Sequence, residues 1–313
     1  MFVGHGSLAF AIAAGVAHAM GWPRERALVV GLLAAAFGLA PDVDIAYALV
    51  GFVGADGVMD AAGGFWAAST QIHRTVTHSL VVGGVAALAA GWVTIQSHRL
   101  VALATLAGLV TVATLVSGAL GGGIMLLFAL TVVALAVAGQ RVGISPRAVA
   151  AAAGVGLTSH PLGDLFTGEP PAFLYPFDVT LLAARPALTA DPTLNLLVPL
   201  FAELGTFWLA LGVYSWVTGD GIRPTVRRNL RFRAALGLGF AGFALVARAP
   251  TLDTSYHFVF PLVGFGVAAG TPLPAAEATS LADLREQPLA AAITGVTAVT
   301  LAAVAYTTAY LLV

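Results

Sequence analysis

Long apolar runs separated by short polar connectors dominate this chain. They fall at 4–20, 27–40, 79–97, 100–117, 121–139, 148–166, 194–217, 234–249, 255–270 and 289–312. A helix needs about 20 mostly apolar residues to cross a hydrocarbon core. The pattern therefore predicts an all-α fold, a polytopic transmembrane bundle of about ten spans, with a range of eight to ten. Spans two, eight and nine are the short ones. Residues 27–53 also read as one helix kinked at Pro41, which sets Asp42 and Asp44 deeper in the membrane. Two regions are expected: 1–193, which carries every polar motif described below, and 194–313, additional helices packed on that core.

Composition supports the same solvent. Hydrophobic residues are 59% of 313 and charged residues 9%, against about 25% charged in soluble domains. The mean hydropathy is +0.93. Cysteine is absent, so disulfides and thiolate metal sites are excluded, and a transition-metal site must use His, carboxylate and water. The net charge of −1 leaves no footprint for nucleic acid. The first run carries His5 and no basic leader, so it reads as a retained span and not a cleaved signal.

Arg distribution orients the predicted bundle. All 14 basic residues are Arg, and numbering the loops alternately leaves only Arg74, Arg185 and Arg248 on one set. Basic residues concentrate on the cytoplasmic side, so the Arg-rich loops are expected inside and both termini outside. Four polar segments then share the Arg-poor face: Gly4-His5-Gly6, Pro41-Asp42-Val43-Asp44, His73-Arg74-Thr75-Val76-Thr77-His78-Ser79, and His160-Pro161-Leu162-Gly163-Asp164.

An ionisable side chain at membrane depth costs several kcal/mol unless paired or coordinated, so this clustering calls for a reason. His160 and Asp164, four apart, project from one face of a helix, a spacing suited to two ligands of one ion. Pro161 leaves a second option, His160 capping a helix break. His73 and His78 are five apart and do not share a helical face. His73 is therefore expected in a loop and His78 at the start of span three, with Thr77 or Ser79 as N-cap. Asp42 and Asp44 face oppositely on a helix and similarly in an extended turn; one is a candidate ligand, the other a group that orients a His or activates water. His18, His98 and His257 lie elsewhere and read as structural.

Gly-His near the start, Pro-Asp-Val-Asp, His-Arg-Thr-Val-Thr-His-Ser-Leu, and Ser-His-Pro-Leu-Gly-Asp-Leu-Phe-Thr followed by Gly and Tyr-Pro-Phe together resemble the YdjM-type family of predicted membrane-bound metal-dependent hydrolases. The resemblance covers roughly residues 1–180. It implies His5, Asp42, Asp44, His73, His78, His160 and Asp164 as metal-site positions, with Arg74, Thr77 and Ser79 beside them. Ile45 stands where some members carry a His, and the last four spans exceed the minimal family core.

The expected function is a membrane-bound metal-dependent hydrolase acting on a lipid or lipid-linked phosphoester or ester. The donor set suits a divalent ion, Zn first and Mn second, one ion or two. Such an ion lowers the pKa of water toward about 7. Asp44, Arg74 and Thr77 are the candidate catalytic residues. Arg74 has two readings, a fork for a substrate anion or a partner of Asp42 or Asp44. Glu203, about ten residues into span seven, either reaches the site or bonds a neighbouring helix as the acid. The loop 168–191, rich in Pro, is a lid or a connector. Competing readings are a metal- or proton-coupled transporter and a non-catalytic scaffold.

Overall fold

The structure, a computed structural model, describes residues 2–69, 73–166, 168–252, 254–271 and 281–312. It is all-helical, with no strand among the described residues. Among the described residues, four helical stretches are long and apolar enough to cross a membrane: Arg24–Phe52, Gln96–Arg141, Leu194–Thr218 and Pro288–Leu312. Four shorter apolar helices accompany them, Val3–Ala19, Leu80–Val93, Phe232–Val246 and Tyr256–Gly270. The chain is thus built as a helical membrane protein.

It divides into two compact units, residues 1–186 and 187–313. The first contains α1 (Phe2–Ala19), α2 (Arg24–Leu39), a 3₁₀ helix (Ala40–Phe52), α3 (Val58–Ser69), α4 (Leu80–Val93), α5 (Arg99–Arg141) and α6 (Pro146–Gly163). At its centre α2 packs on both α1 and α6, and α4 packs on α6. Small residues allow this closeness. A Cβ on Gly156 of α6 would lie 2.5 Å from the Gly38 nitrogen and 2.6 Å from the Ala34 carbonyl of α2. Close backbone approach of this kind is how helices associate where lipid offers no hydrophobic drive.

Local chemistry accounts for the helix boundaries. Ser79 caps α4, its hydroxyl accepting from the Val81 and Val82 amides. Ser145 caps α6 ahead of Pro146 in the first turn, a favoured arrangement because the missing Pro N–H is one the helix start leaves unbonded anyway. Pro41 converts α2 into the 3₁₀ helix and does not end it. The stretch Arg24–Phe52 is therefore continuous, the second of the two sequence readings of 27–53. The helix α3, which pairs with the 3₁₀ helix, lies between the expected spans 27–40 and 79–97, where the apolar pattern predicts no span.

Within α5 the residue Gly118 has φ 72° and ψ −173°, outside helical geometry. Spans expected at 100–117 and 121–139 meet there. Gly122 approaches the Thr114 side chain, although eight residues of straight helix would separate them by about 12 Å. The chain doubles back at Gly118, where a residue with a Cβ would be strained.

The second unit contains α7 (Leu194–Thr218), α8 (Ile222–Asn229), a 3₁₀ helix (Phe232–Phe240), α9 (Ala241–Val246), α10 (Tyr256–Gly270) and α11 (Leu281–Leu312). Its core gathers Leu196, Leu197, Phe240, Phe258, Leu262, Ala302 and Tyr306 around α11. Glu203 lies on α7 in this unit.

Candidate metal centre

Four elements of the first unit bring the polar motifs together. His5 comes from the first turns of α1, Asp42 and Asp44 from the 3₁₀ helix, His73 to His78 from the loop into α4, and His160 and Asp164 from the end of α6. The residues His5, Asp44, Thr77, His78, His160 and Asp164 are 2% exposed or less. The Asp42 and His73 side chains keep 13% and 16% exposure, which makes their edge the open side of the cluster.

Helix α6 runs through Pro161, so His160 and Asp164 stay on one face as the four-residue spacing requires. The ring of Pro161 removes the bond that the Leu157 carbonyl would accept. Gly83 of α4 packs against that carbonyl, where a Cβ would stand 3.2 Å from it.

Hydrogen bonds decide which nitrogen of each central His carries its proton. His160 Nδ1 lies 2.6 Å from the Gly38 carbonyl. A carbonyl only accepts, so Nδ1–H donates and a neutral His160 turns the bare Nε2 inward. The Thr77 hydroxyl donates to Asp44 Oδ2 at 3.1 Å, leaving its oxygen to accept from His78 Nδ1 at 3.0 Å. His78 is thereby fixed in the same tautomer. The two bare Nε2 atoms face one another at 2.9 Å, an arrangement that two neutral lone pairs do not hold without a cation or a proton beside them.

Two carboxylate oxygens complete the group. Asp42 Oδ1 stands 3.4 Å from His160 Nε2 and 3.6 Å from His78 Nε2. Asp164 Oδ2 stands 3.4 Å from His78 Nε2 and 3.6 Å from His160 Nε2. A tetrahedral ion with bonds of about 2.0–2.1 Å sets its ligand atoms roughly 3.3–3.4 Å apart. Five of the six edges of such a tetrahedron, at 2.9–3.6 Å, bracket that value. Asp42 Oδ2 is buried with no hydrogen-bond partner among the described residues, as expected of a carboxylate whose charge awaits a cation. Buried His and Asp groups able to hold a metal ion are thus present. Among the described residues, two three-residue sets could also each hold an ion, the buried His5, His160 and Asp164, and the partly exposed Asp42 and His73 with the buried His78, their ligand atoms within 4.8 Å of one another.

The remaining motif residues stand around these four. Asp44 Oδ1 accepts from His73 Nδ1 at 3.0 Å, while Oδ2 faces Thr77 and His78. His5 Nε2 lies 3.1 Å from Asp164 Oδ1. Arg74 reaches the same oxygen with Nη2 at 3.1 Å and gives Nη1 to the carbonyls of Asp164 and Glu169. Among the described residues Arg74 forms an ion pair with Asp164, and none is seen with Asp42 or Asp44. The outer oxygen of Asp164 is held by a His and an Arg, which turns Oδ2 toward His78 and His160. His5 fits because residue 163 is Gly; a Cβ there would stand 2.7 Å from His5 Nδ1. Arg74 has φ 71°, a left-handed conformation uncommon for a side chain of this size.

The first part of the loop 168–191 is tied to this cluster through the backbone. Ala172 N–H donates to the Arg74 carbonyl, Leu80 N–H to the Phe173 carbonyl, and the Ser79 hydroxyl contacts the Phe173 and Tyr175 carbonyls at 3.1 and 2.7 Å. Residues 172–175 act as a fixed strap. The carbonyls of Gly38, Asp164, Glu169, Phe173 and Tyr175 have no counterpart in the sequence reading, because a backbone acceptor leaves no signature in residue type. Gly163 stands in the sequence as part of the His160-to-Asp164 motif and Gly38 as part of an apolar run, neither with any mark of the neighbour it makes room for. His98, on the short 3₁₀ turn Gln96–His98, pairs with Ser97 at an exposed position, apart from the cluster.

No protein-family model, curated protein or solved structure matches the chain.

Proposed function

We propose that this chain is a multi-pass membrane hydrolase of about ten crossings, dependent on a divalent metal held by His78, His160, Asp42 and Asp164. The observation that carries the reading is the pair of Nε2 atoms at 2.9 Å, each bare when its imidazole is neutral and donates from Nδ1. The donor set of two imidazoles and two carboxylates, with no thiolate, favours Zn, then Mn. A metal in that position would supply Lewis acidity and lower the pKa of water to near neutrality.

The chain's own residues would do the rest. Asp44 and Thr77 hold the tautomer of His78, and the Gly38 carbonyl holds that of His160. Arg74 and His5 orient Asp164. With its guanidinium engaged in this way, Arg74 serves as a positioning residue and not as the clamp for a substrate anion. The four motifs and their order resemble those of the YdjM-type hydrolases, and this supports hydrolysis over transport or a purely structural role.

Substrate class is inferred from the open edge. The 3₁₀ helix that carries Asp42 continues into exposed Leu49, Val50, Phe52 and Val53, followed by Val58 and Met59 of α3. Such an apolar run on the element that carries the least buried ligand suits a substrate whose acyl or prenyl chain stays in the membrane while its ester or phosphoester reaches Asp42. Sidedness follows the Arg count, with the cluster outside the cytoplasm.

The test is purification of the full chain, metal analysis by mass spectrometry, and assay against lipid phosphoesters and carboxylate esters with Zn or Mn supplied. One metal per chain and cleavage are expected, and His78→Ala should abolish both. Metal retained by His78→Ala would remove the site, while a loaded protein that cleaves neither class would remove the reaction.

A further inference from the structure

The second unit carries a concentration of positive charge that the metal centre does not use. Between residues 223 and 233 stand Arg223, Arg227, Arg228, Arg231 and Arg233, with no acid among them. Asp220, just before, makes the ion pair described for this stretch, 3.9 Å from Arg228, with the two side chains 59% and 46% exposed. A pair that exposed and that long contributes little and does not neutralise the cluster.

The segment is held in place by its polar, buried face. Thr225 and Asn229 of α8 are 1% and 6% exposed. The Thr225 hydroxyl donates to the Gly221 carbonyl and the Asn229 amide to the Thr225 carbonyl. Thr294 of α11 then clamps the end of the helix, donating to the Asn229 carbonyl at 3.4 Å and accepting from the Arg231 amide at 3.2 Å. Arg223 and Arg227, one turn apart, and Arg228 lie on the opposite, exposed side. Together with Pro224 they line an open cavity of about 670 Å³.

Position relative to the membrane follows from the neighbours. Helix α8 begins four residues after the span Leu194–Thr218 ends, and Thr294 sits in the second turn of the span Pro288–Leu312. Both connections put α8 at the end of a span, at the level of lipid headgroups. Ile222, Leu230, Phe232 and Leu236 are exposed beside the Arg side chains, Phe232 at 90%. Apolar side chains and guanidinium groups presented together from a short helix at that depth are the pattern of an interfacial segment. Arg233 adds a buried Nη2 without a hydrogen-bond partner among the described residues, a donor available to an anion.

We infer that α8 and the residues after it form a binding site for the phosphate headgroup of an anionic phospholipid, with Arg223, Arg227 and Arg228 contacting the phosphate and Phe232 inserting among the acyl chains. Charge complementarity selects the occupant. Guanidinium forks match phosphate oxygens bidentately, the cluster is rich in them, and the nearest abundant phosphate at the end of a membrane span belongs to the bilayer itself.

The experiment uses the full-length protein in neutral detergent, titrated with a fluorescent phosphatidylglycerol and with the matching phosphatidylcholine. Wild type should prefer the anionic lipid by on the order of a hundredfold at low salt, each Arg near the surface being worth about fivefold. The combined Arg223→Gln, Arg227→Gln, Arg228→Gln variant should bind the two lipids equally, and the three Lys replacements should keep most of the preference. If the triple Gln variant fails to fold, the single Arg227→Gln decides, with about a fivefold loss expected. Excess inorganic phosphate should leave the lipid bound. Equal binding of both lipids by wild type, an undiminished preference in the Gln variants, or complete displacement by inorganic phosphate would each overturn the proposal, the last by identifying a site for a free anion.

Discussion

Thr77 shows how one hydroxyl can govern a whole cluster. Its proton goes to Asp44 and its oxygen receives the His78 proton, so the same side chain satisfies a buried carboxylate and selects a tautomer. Thr77→Val keeps the shape and removes both bonds. It is expected to weaken metal affinity by about 10–100-fold, the usual cost of losing a group that orients a ligand, with the helices retained. Competition titration against a metal-sensitive dye, alongside circular dichroism, checks this. Unchanged affinity would mean that the His78 proton is set by Asp44 alone, which stands 3.4 Å from Nδ1. Residue type announced the candidates here, because buried His and Asp are conspicuous in an apolar chain. It did not announce their division of labour. Asp42 and Asp44 look equivalent in Pro-Asp-Val-Asp, yet one faces Nε2 of His78 and the other Nδ1.

At the scale of the element, Ser79 joins a helix start to the strap that passes over it. Its oxygen caps α4, and its proton is offered to the Phe173 and Tyr175 carbonyls. Ser79→Ala should destabilise the first unit by about 1–2 kcal/mol, read as a lower thermal midpoint. Proteolysis should accelerate at 171–176, where the strap loses its side-chain tether. A change confined to the midpoint, with the strap as resistant as before, would assign Ser79 to capping only. Pro residues had opposite legibility within elements. Pro146 at a helix start behaves as its fixed φ dictates. Pro41 and Pro161, both candidate breaks, are absorbed, one by a change to 3₁₀ geometry and the other inside a continuous helix.

For the whole molecule, the proposed ion would link α1, α4, α6 and the 3₁₀ helix, either directly or through Asp164. Binding to the folded state alone raises stability by about 2.7 kcal/mol at a ligand concentration 100 times Kd. A chelator should therefore lower the unfolding temperature of wild type and leave His160→Asn unmoved, as measured by scanning fluorimetry. Equal sensitivity of the two proteins would detach stability from this site. The absence of Cys makes the orientation equally open to test. A Cys introduced singly as Ser97→Cys should react with an impermeant thiol reagent only from the cytoplasmic side, and Asp56→Cys only from the other; labelling of both from one side would reject the alternation.

Solvent and element type were decided by the sequence alone. A bilayer admits only helices and closed barrels, and continuous apolar runs, without the alternation of a barrel strand, select helices; the turning point at Gly118 falls between two of the expected spans. The polar residues at risk in that solvent were equally plain, since each is costly unless partnered. What only the tertiary structure decided is which atom of each residue turns inward. That choice rests on backbone carbonyls at Gly38, Asp164 and Glu169, on the room left at Gly163, and on contacts between positions up to 159 residues apart. None of these is a property of a residue type, so no reading along the chain contains them.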